Sequence, residues 1–283
     1  MEREVIKSNI QGIQRILEII ASSHNDDICL SQFSNMDENL CAVLGAFHKG
    51  ELVVIKIDSE SPTKFKNNLF IRALCPEAEC EKNIGKNVIP YFEIEKNDYN
   101  TQNQNVLDYI QHYILLTEHV PTISEQVKNL LQDAILEFFS NAFIHTECDR
   151  VYACGRWDQT ENMFHLTIVN IGKTFQENVN EYLRENLSSK EAIKWAMVRG
   201  NTTKKDDTGG LGLSVITEFV EKNEGEFLLI SGNGALYRRG NVPCYEDIGV
   251  FFPGTFVNLV FNLKDTKQYI KTDENRSTVN FEW

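Results

Sequence analysis

The chain has 283 residues, 42% of them hydrophobic, and a net charge of −13, so it can bury a substantial core but lacks the cationic surface that broad contact with nucleic acid or an acidic membrane requires. Its seven cysteines are scattered, odd in number and without a Cys-x-x-Cys pair, which fits reduced thiols in a cytoplasm. Met-Glu-Arg-Glu opens with no apolar signal core and no run reaches membrane-spanning length, so the expected place is cytoplasmic and away from the membrane.

In chain order, Ile10, Ile13, Ile16, Leu17 and Ile20 recur at helical spacing and predict a helix over 9–21. Residues 28–33 read as a short strand, 37–47 as a helix ended by Lys49-Gly50, 52–57 as a β-branched strand and 62–69 as a second helix. Strand, helix, strand, helix makes a small α/β unit. Residues 76–105 are rich in Asn, Glu and Lys around an apolar island at 88–94 and mark the boundary between a module at 1–100 and a domain at 101–265, with a mostly polar tail at 266–283. Cys75 and Cys80 have no His or Cys cluster near them and read as unrelated thiols rather than half a metal site.

Residues 106–116 form a further helix with Leu107, Ile110, Ile114 and Leu115 facing a core. On it, His112 lies between Gln111 and Tyr113 and reads as an ordinary histidine rather than a phosphoacceptor. Ser124 is a fitting N-cap for the central helix, after which 150–157 and 163–170 alternate as strands joined by a hairpin at 158–162.

That central helix carries the chemistry. Glu137 and Asn141 stand four residues apart and share a face, set among Phe138, Phe139, Ala142, Phe143 and Ile144. A carboxylate and an amide amid so much apolar surface need polar partners, and a cation with its anionic ligand supplies them. Downstream, Thr208-Gly-Gly-Leu-Gly-Leu-Ser214 runs into an amphipathic helical pattern at 215–220, the arrangement in which backbone amides cradle phosphate.

Taken together, Glu137-x-x-x-Asn141-Ala142, Asn170-x-Gly172, Gly210-x-Gly212 and Gly254-Thr255 resemble in order and spacing the motifs of the GHKL family of ATPases, which includes sensor histidine kinases, gyrase B subunits and anti-sigma-factor serine kinases. Asn141-Ala-Phe-Ile-His145, Ala192-Ile-Lys-Trp-Ala196 and Gly200-Asn-Thr-Thr-Lys204 are most similar to the anti-sigma kinases and to stand-alone bacterial ATP-binding proteins. The resemblance spans 122–263, about half the chain. It implies an α/β sandwich, a mixed sheet with helices on one face, preceded by an N-terminal α/β module that either resembles a STAS-type domain or is of another kind.

The resemblance implies a role for each site residue. Glu137 would be the catalytic base, and Asn141 would give Mg²⁺ a neutral oxygen. Gly209, Gly210, Leu211 and Gly212 would hold the phosphates, and Thr203, Lys204 and Lys205 would belong to a mobile lid. Asn170 stands where the family has an aspartate that accepts the adenine amino group, and a carbonyl can still accept there. Gly172 keeps the motif's first glycine, Thr174 replaces the second, and Thr255 would support the adenine pocket. His145 has helix C-terminal capping as its simplest reading.

The function implied is a Mg²⁺-dependent ATP-binding protein with ATPase or protein-serine kinase activity, regulatory in role and partnered by another protein, STAS-type among the options. The helix at 106–116 would be a packing strut or the dimerisation element of a homodimer. The alternative is a nucleotide-gated interaction module with little turnover.

Overall fold

The computed structural model describes residues 5–23, 27–77, 88–101, 103–115, 125–198, 200–203, 212–265, 270–272 and 280–282. It opens with α1 (Ile10–Ser22), capped by the Asn9 side chain, which accepts from the Gly12 amide. There follow β1 (Asp27–Cys29), 3-10 turns at Leu30–Phe33 and Glu38–Leu40, α2 (Cys41–Lys49), β2 (Val54–Lys56), α3 (Lys64–Asn67) and α4 (Phe70–Leu74). The strand expected over 28–33 therefore gives way to a 3-10 turn after Cys29. The helix expected over 62–69 is broken where Leu69 takes a left-handed conformation, φ 66°. β1 and β2 pair in parallel, Ile28 opposite Ile55, as a small α/β unit whose strands are three residues each.

The rest of the chain builds a larger sheet. β3 (Val88–Glu95) leads through α5 (Lys96–Thr101) and α6 (Gln104–Tyr109) into a π-helical stretch, Ile110–Leu115. Next come α7 (Glu125–His145), the hairpin of β4 (Arg150–Asp158) and β5 (Met163–Ile171), then α8 (Phe175–Leu183), α9 (Ser189–Ala196) and α10 (Gly212–Lys222). A long hairpin of β6 (Glu226–Arg239) and β7 (Val242–Asn262) completes the sheet, and β8 (Ile270–Thr272) pairs with β9 (Asn280–Glu282) in the tail. Ser124 and Leu116 lie outside the described residues.

One expectation is corrected here. The five strands run β3-β4-β5-β7-β6 with every pairing antiparallel, not mixed. The helices that follow β3 lie on one face of this sheet, and helices of the N-terminal segment cover the other. One core lies between α7, α10 and the sheet side chains Val151, Ala153, Leu166, Ile168, Leu229 and Val257. A second core joins the N-terminal segment to the opposite face through Tyr152, Cys154, Val169, Leu228, Ile230 and Phe256. Alternation along each strand assigns successive residues to opposite cores. β3, on the N-terminal side of the expected boundary at 100/101, pairs with β4 and belongs to the sheet.

α2 shows why the second face is covered. All residues from Cys41 to Phe47 are buried, and a helix apolar on every side needs neighbours all round. Its approach is fixed by a buried amide network in which Asn39 Nδ2 donates to Thr167 Oγ1 at 2.8 Å and Asn258 Oδ1 at 3.1 Å. The acceptors Thr167 and Asn258 are themselves cross-strand partners on β5 and β7. No helix among the described residues is long and apolar enough to cross a membrane.

Candidate functional site

On the α7 side of the sheet, between strands and helices, lies a cavity of about 910 Å³ counting its open mouth. The strands supply its floor. Register sets Asn170 opposite Thr255, Ile168 opposite Val257 and Val257 opposite Leu229, and all five line the cavity. The backbone around the polar pair is tightly apposed. A Cβ at Gly172 would collide with the Thr146 carbonyl oxygen, and one at Gly254 would collide with that of Asn170. Gly172 is not among the described residues lining the cavity; its place is this close approach, which holds the end of α7 against β5.

α7 supplies the opposite wall. Glu137, Asn141 and His145 project at successive turns, i, i+4 and i+8, and all three line the cavity with Phe138 and Ala142 between them. The helix is less enclosed than its sequence suggests, since Ile144 is 56% exposed. Glu137 Oε1 is shielded from solvent. His145 Nδ1 lies 2.9 Å from Thr203 Oγ1, which ties the end of α7 to the loop at 201–203. That is a more specific contact than helix capping.

Phe175 and Val179 of α8, Trp195 and Ala196 of α9 and Leu213 of α10 close the sides with apolar surface, and Asn178 adds one amide. Local sequence starts both shorter helices. Thr174 and Glu177 form a capping box for α8, Ser188 and Glu191 one for α9. Hydrogen bonds from the Thr174 backbone and side chain hold the Glu177 carboxyl below the usual carboxylate range. Thr174, where the resemblance leads one to expect a second glycine, is thus the N-cap of α8.

At the deep end the polar groups are few and well buried. Asn170 is 4% exposed and Thr255 8%. Asn170 Nδ2 donates to Thr146 Oγ1 at 2.9 Å, and Thr146 Oγ1 donates to the Ala142 carbonyl at 2.6 Å. Thr255 Oγ1 is buried with no hydrogen-bond partner among the described residues. An orphaned hydroxyl beside an amide, at the end of an apolar slot, is the arrangement a flat ligand with a polar edge would satisfy.

Five of the residues singled out by sequence, Glu137, Asn141, Asn170, Thr203 and Thr255, therefore meet around one cavity. Gly212 begins α10, whose next residue lines it. Lys204, Gly209, Gly210 and Leu211 lie outside the described residues. No protein-family model matches the chain, and comparison with curated proteins found no match.

Sequence reasoning missed Thr146, the partner of Asn170, and the α8 wall; Trp195 and Ala196 of the α9 wall lie in the stretch 192–196 that the resemblance singled out without a place in the site. The S/T-x-x-E signatures at 174–177 and 188–191 carried the signal for those two helices. Among the described residues the lining holds no lysine or arginine, while Glu137 contributes a carboxylate. A polyanion bound here must bring or recruit a cation.

Proposed function

We propose that the chain is a Mg²⁺-dependent ATP-binding protein that transfers the γ-phosphoryl group to water or to a protein hydroxyl. The observation that carries this reading is the convergence of Glu137, Asn141, Asn170, Thr203 and Thr255, chosen by motif from four stretches, on a single cavity. The base would lie in the apolar slot against Asn170 and Thr255. The phosphates would extend toward Asn141, His145 and Thr203.

The donor set fits the cation. Mg²⁺ keeps several waters and takes one or two protein oxygens along with phosphates. Asn141 alone on the wall meets that demand, and no group of three or more His, Cys, Asp or Glu able to cage a metal exists among the described residues. When bound, the ion would screen the phosphate charge that the described lining leaves uncompensated.

The protein's own part is positioning and proton transfer. Glu137, one turn before Asn141, would accept the proton of the attacking water or hydroxyl, which must lie within hydrogen-bond reach of its carboxylate. The His145–Thr203 contact would fix the segment 201–203 at the edge of the cavity. The same base serves either acceptor, so the reading covers an ATPase and a protein kinase alike.

Glu137→Gln tests the reading, with ATP affinity and phosphate release measured side by side. Binding should stay within about threefold while release falls by about a hundredfold or more. Undiminished release in the variant would remove Glu137 from the chemistry. Tight binding by the wild type with no release and no transfer would instead favour a nucleotide-gated interaction module.

A further inference from the structure

Resting on the nucleotide reading of the cavity, we infer that its deep end is built to accept both 6-amino and 6-oxo purines, so that the chain binds GTP as well as ATP, with Asn170 as the residue that makes it permissive.

With Asn170 Nδ2 held on Thr146 Oγ1, the amide has its carbonyl oxygen left to offer a ligand, and an amino group can donate to it. A 6-oxo base needs the reverse, a donor at the same place. An aspartate could not provide one when ionised. An asparagine provides it by turning its amide over, provided the group behind it can change from acceptor to donor.

Thr146 can make that change at little loss. Its hydroxyl accepts from Asn170 and donates to the Ala142 carbonyl. That carbonyl also receives the Thr146 backbone N–H at 3.1 Å and the Cys148 thiol at 3.3 Å. When the hydroxyl turns toward Asn170 Oδ1, Ala142 keeps two donors, so no buried acceptor is orphaned. Cys148 remains a thiol able to donate, since burial raises its pKa.

The partner across the sheet is equally two-sided. Thr255 Oγ1 has no committed partner among the described residues, and a hydroxyl donates to N1 of a 6-amino purine or accepts the N1–H of a 6-oxo purine. Asn170 and Thr255 sit directly opposite each other, on backbone pinned by Gly172 and Gly254. The side-chain protons can rearrange while the frame stays fixed. The apolar walls, Ile168, Val257, Leu229 and Val179, contact ring faces and do not discriminate between the two bases.

Calorimetric titration of Mg-ATP and Mg-GTP into the full chain, wild type and Asn170→Asp, tests this. The wild type should bind the two within about tenfold of each other, and Asn170→Asp should keep ATP while weakening GTP by about tenfold or more. ATP binding with GTP weaker by about a hundredfold in the wild type would overturn the inference and leave the nucleotide reading standing. Equal GTP binding by wild type and Asn170→Asp would overturn the role of the amide. Binding of neither nucleotide to the wild type would overturn the nucleotide reading and this inference with it.

Discussion

His165 sits on the face of β5 opposite the cavity, where the N-terminal segment meets the sheet. Arg156 Nη2 approaches its Nε2 at 3.3 Å, so Nε2 is the acceptor and Nδ1 carries the proton toward Ser8 Oγ, 3.4 Å away. Ser8 in turn bonds Asp37 through its amide and hydroxyl, and Arg156 pairs with Asp37 and Asp158. The serine's proton points to Asp37 rather than to the histidine, which makes the cluster a tie between segments and not a nucleophile. Burial, and then the Arg156 charge, push the ring pKa down to about 3 against the weaker pull of Asp158. A group kept neutral by folding contributes its full stability above the ordinary value of 6.5 and loses it as pH falls toward 3. Thermal midpoints from pH 7.5 to 5 should therefore drop more steeply for wild type than for His165→Gln; parallel curves would contradict this account of the ring.

At the scale of elements, the critical contact is the end of α7 against the start of the β5–α8 connection. The Lys173 amide donates to the Thr146 carbonyl at 2.7 Å, with Gly172 leaving room for the approach. Gly172→Ala should lower stability by about 1–3 kcal/mol and, by displacing Thr146 from Asn170, weaken nucleotide binding more than it changes the fold. Circular dichroism melts with calorimetry on the same samples separate the two effects, and unchanged melts with unchanged affinity would contradict this placement of Thr146. β5 was plain in the sequence because Phe164, Leu166 and Ile168 alternate with His165 and Thr167, and a short polar turn joins it to β4. β6 was not, although it pairs along most of its length with β7. Stretches such as Phe227-Leu-Leu-Ile230 are buried at every position, one residue to each core, so the two-residue period that marks a half-buried strand is absent. The motif residues were legible for a different reason: side chains such as Glu137, Asn141 and Asn170 are polar where their neighbours are apolar.

For the molecule as a whole, the sheet is a shared wall. The N-terminal segment covers one face, the cavity opens on the other, and Thr167 and Asn258, bonded to Asn39, are sequence neighbours of the cavity residues Ile168 and Val257. Sequence separated the two halves by composition, and composition says nothing about one half packing on the back of the other's sheet. The six described cysteines are free; of the three that are buried, Cys41 and Cys154 lie in the core behind the sheet and Cys148 in the core on the cavity side. Titration of ATP with and without Mg²⁺ into wild type and Asn141→Ala probes the cavity itself. The wild type should bind ATP in a Mg²⁺-dependent manner, and the variant about tenfold or more weakly. Wild-type protein that takes up no ATP under either condition would contradict the nucleotide reading of the cavity.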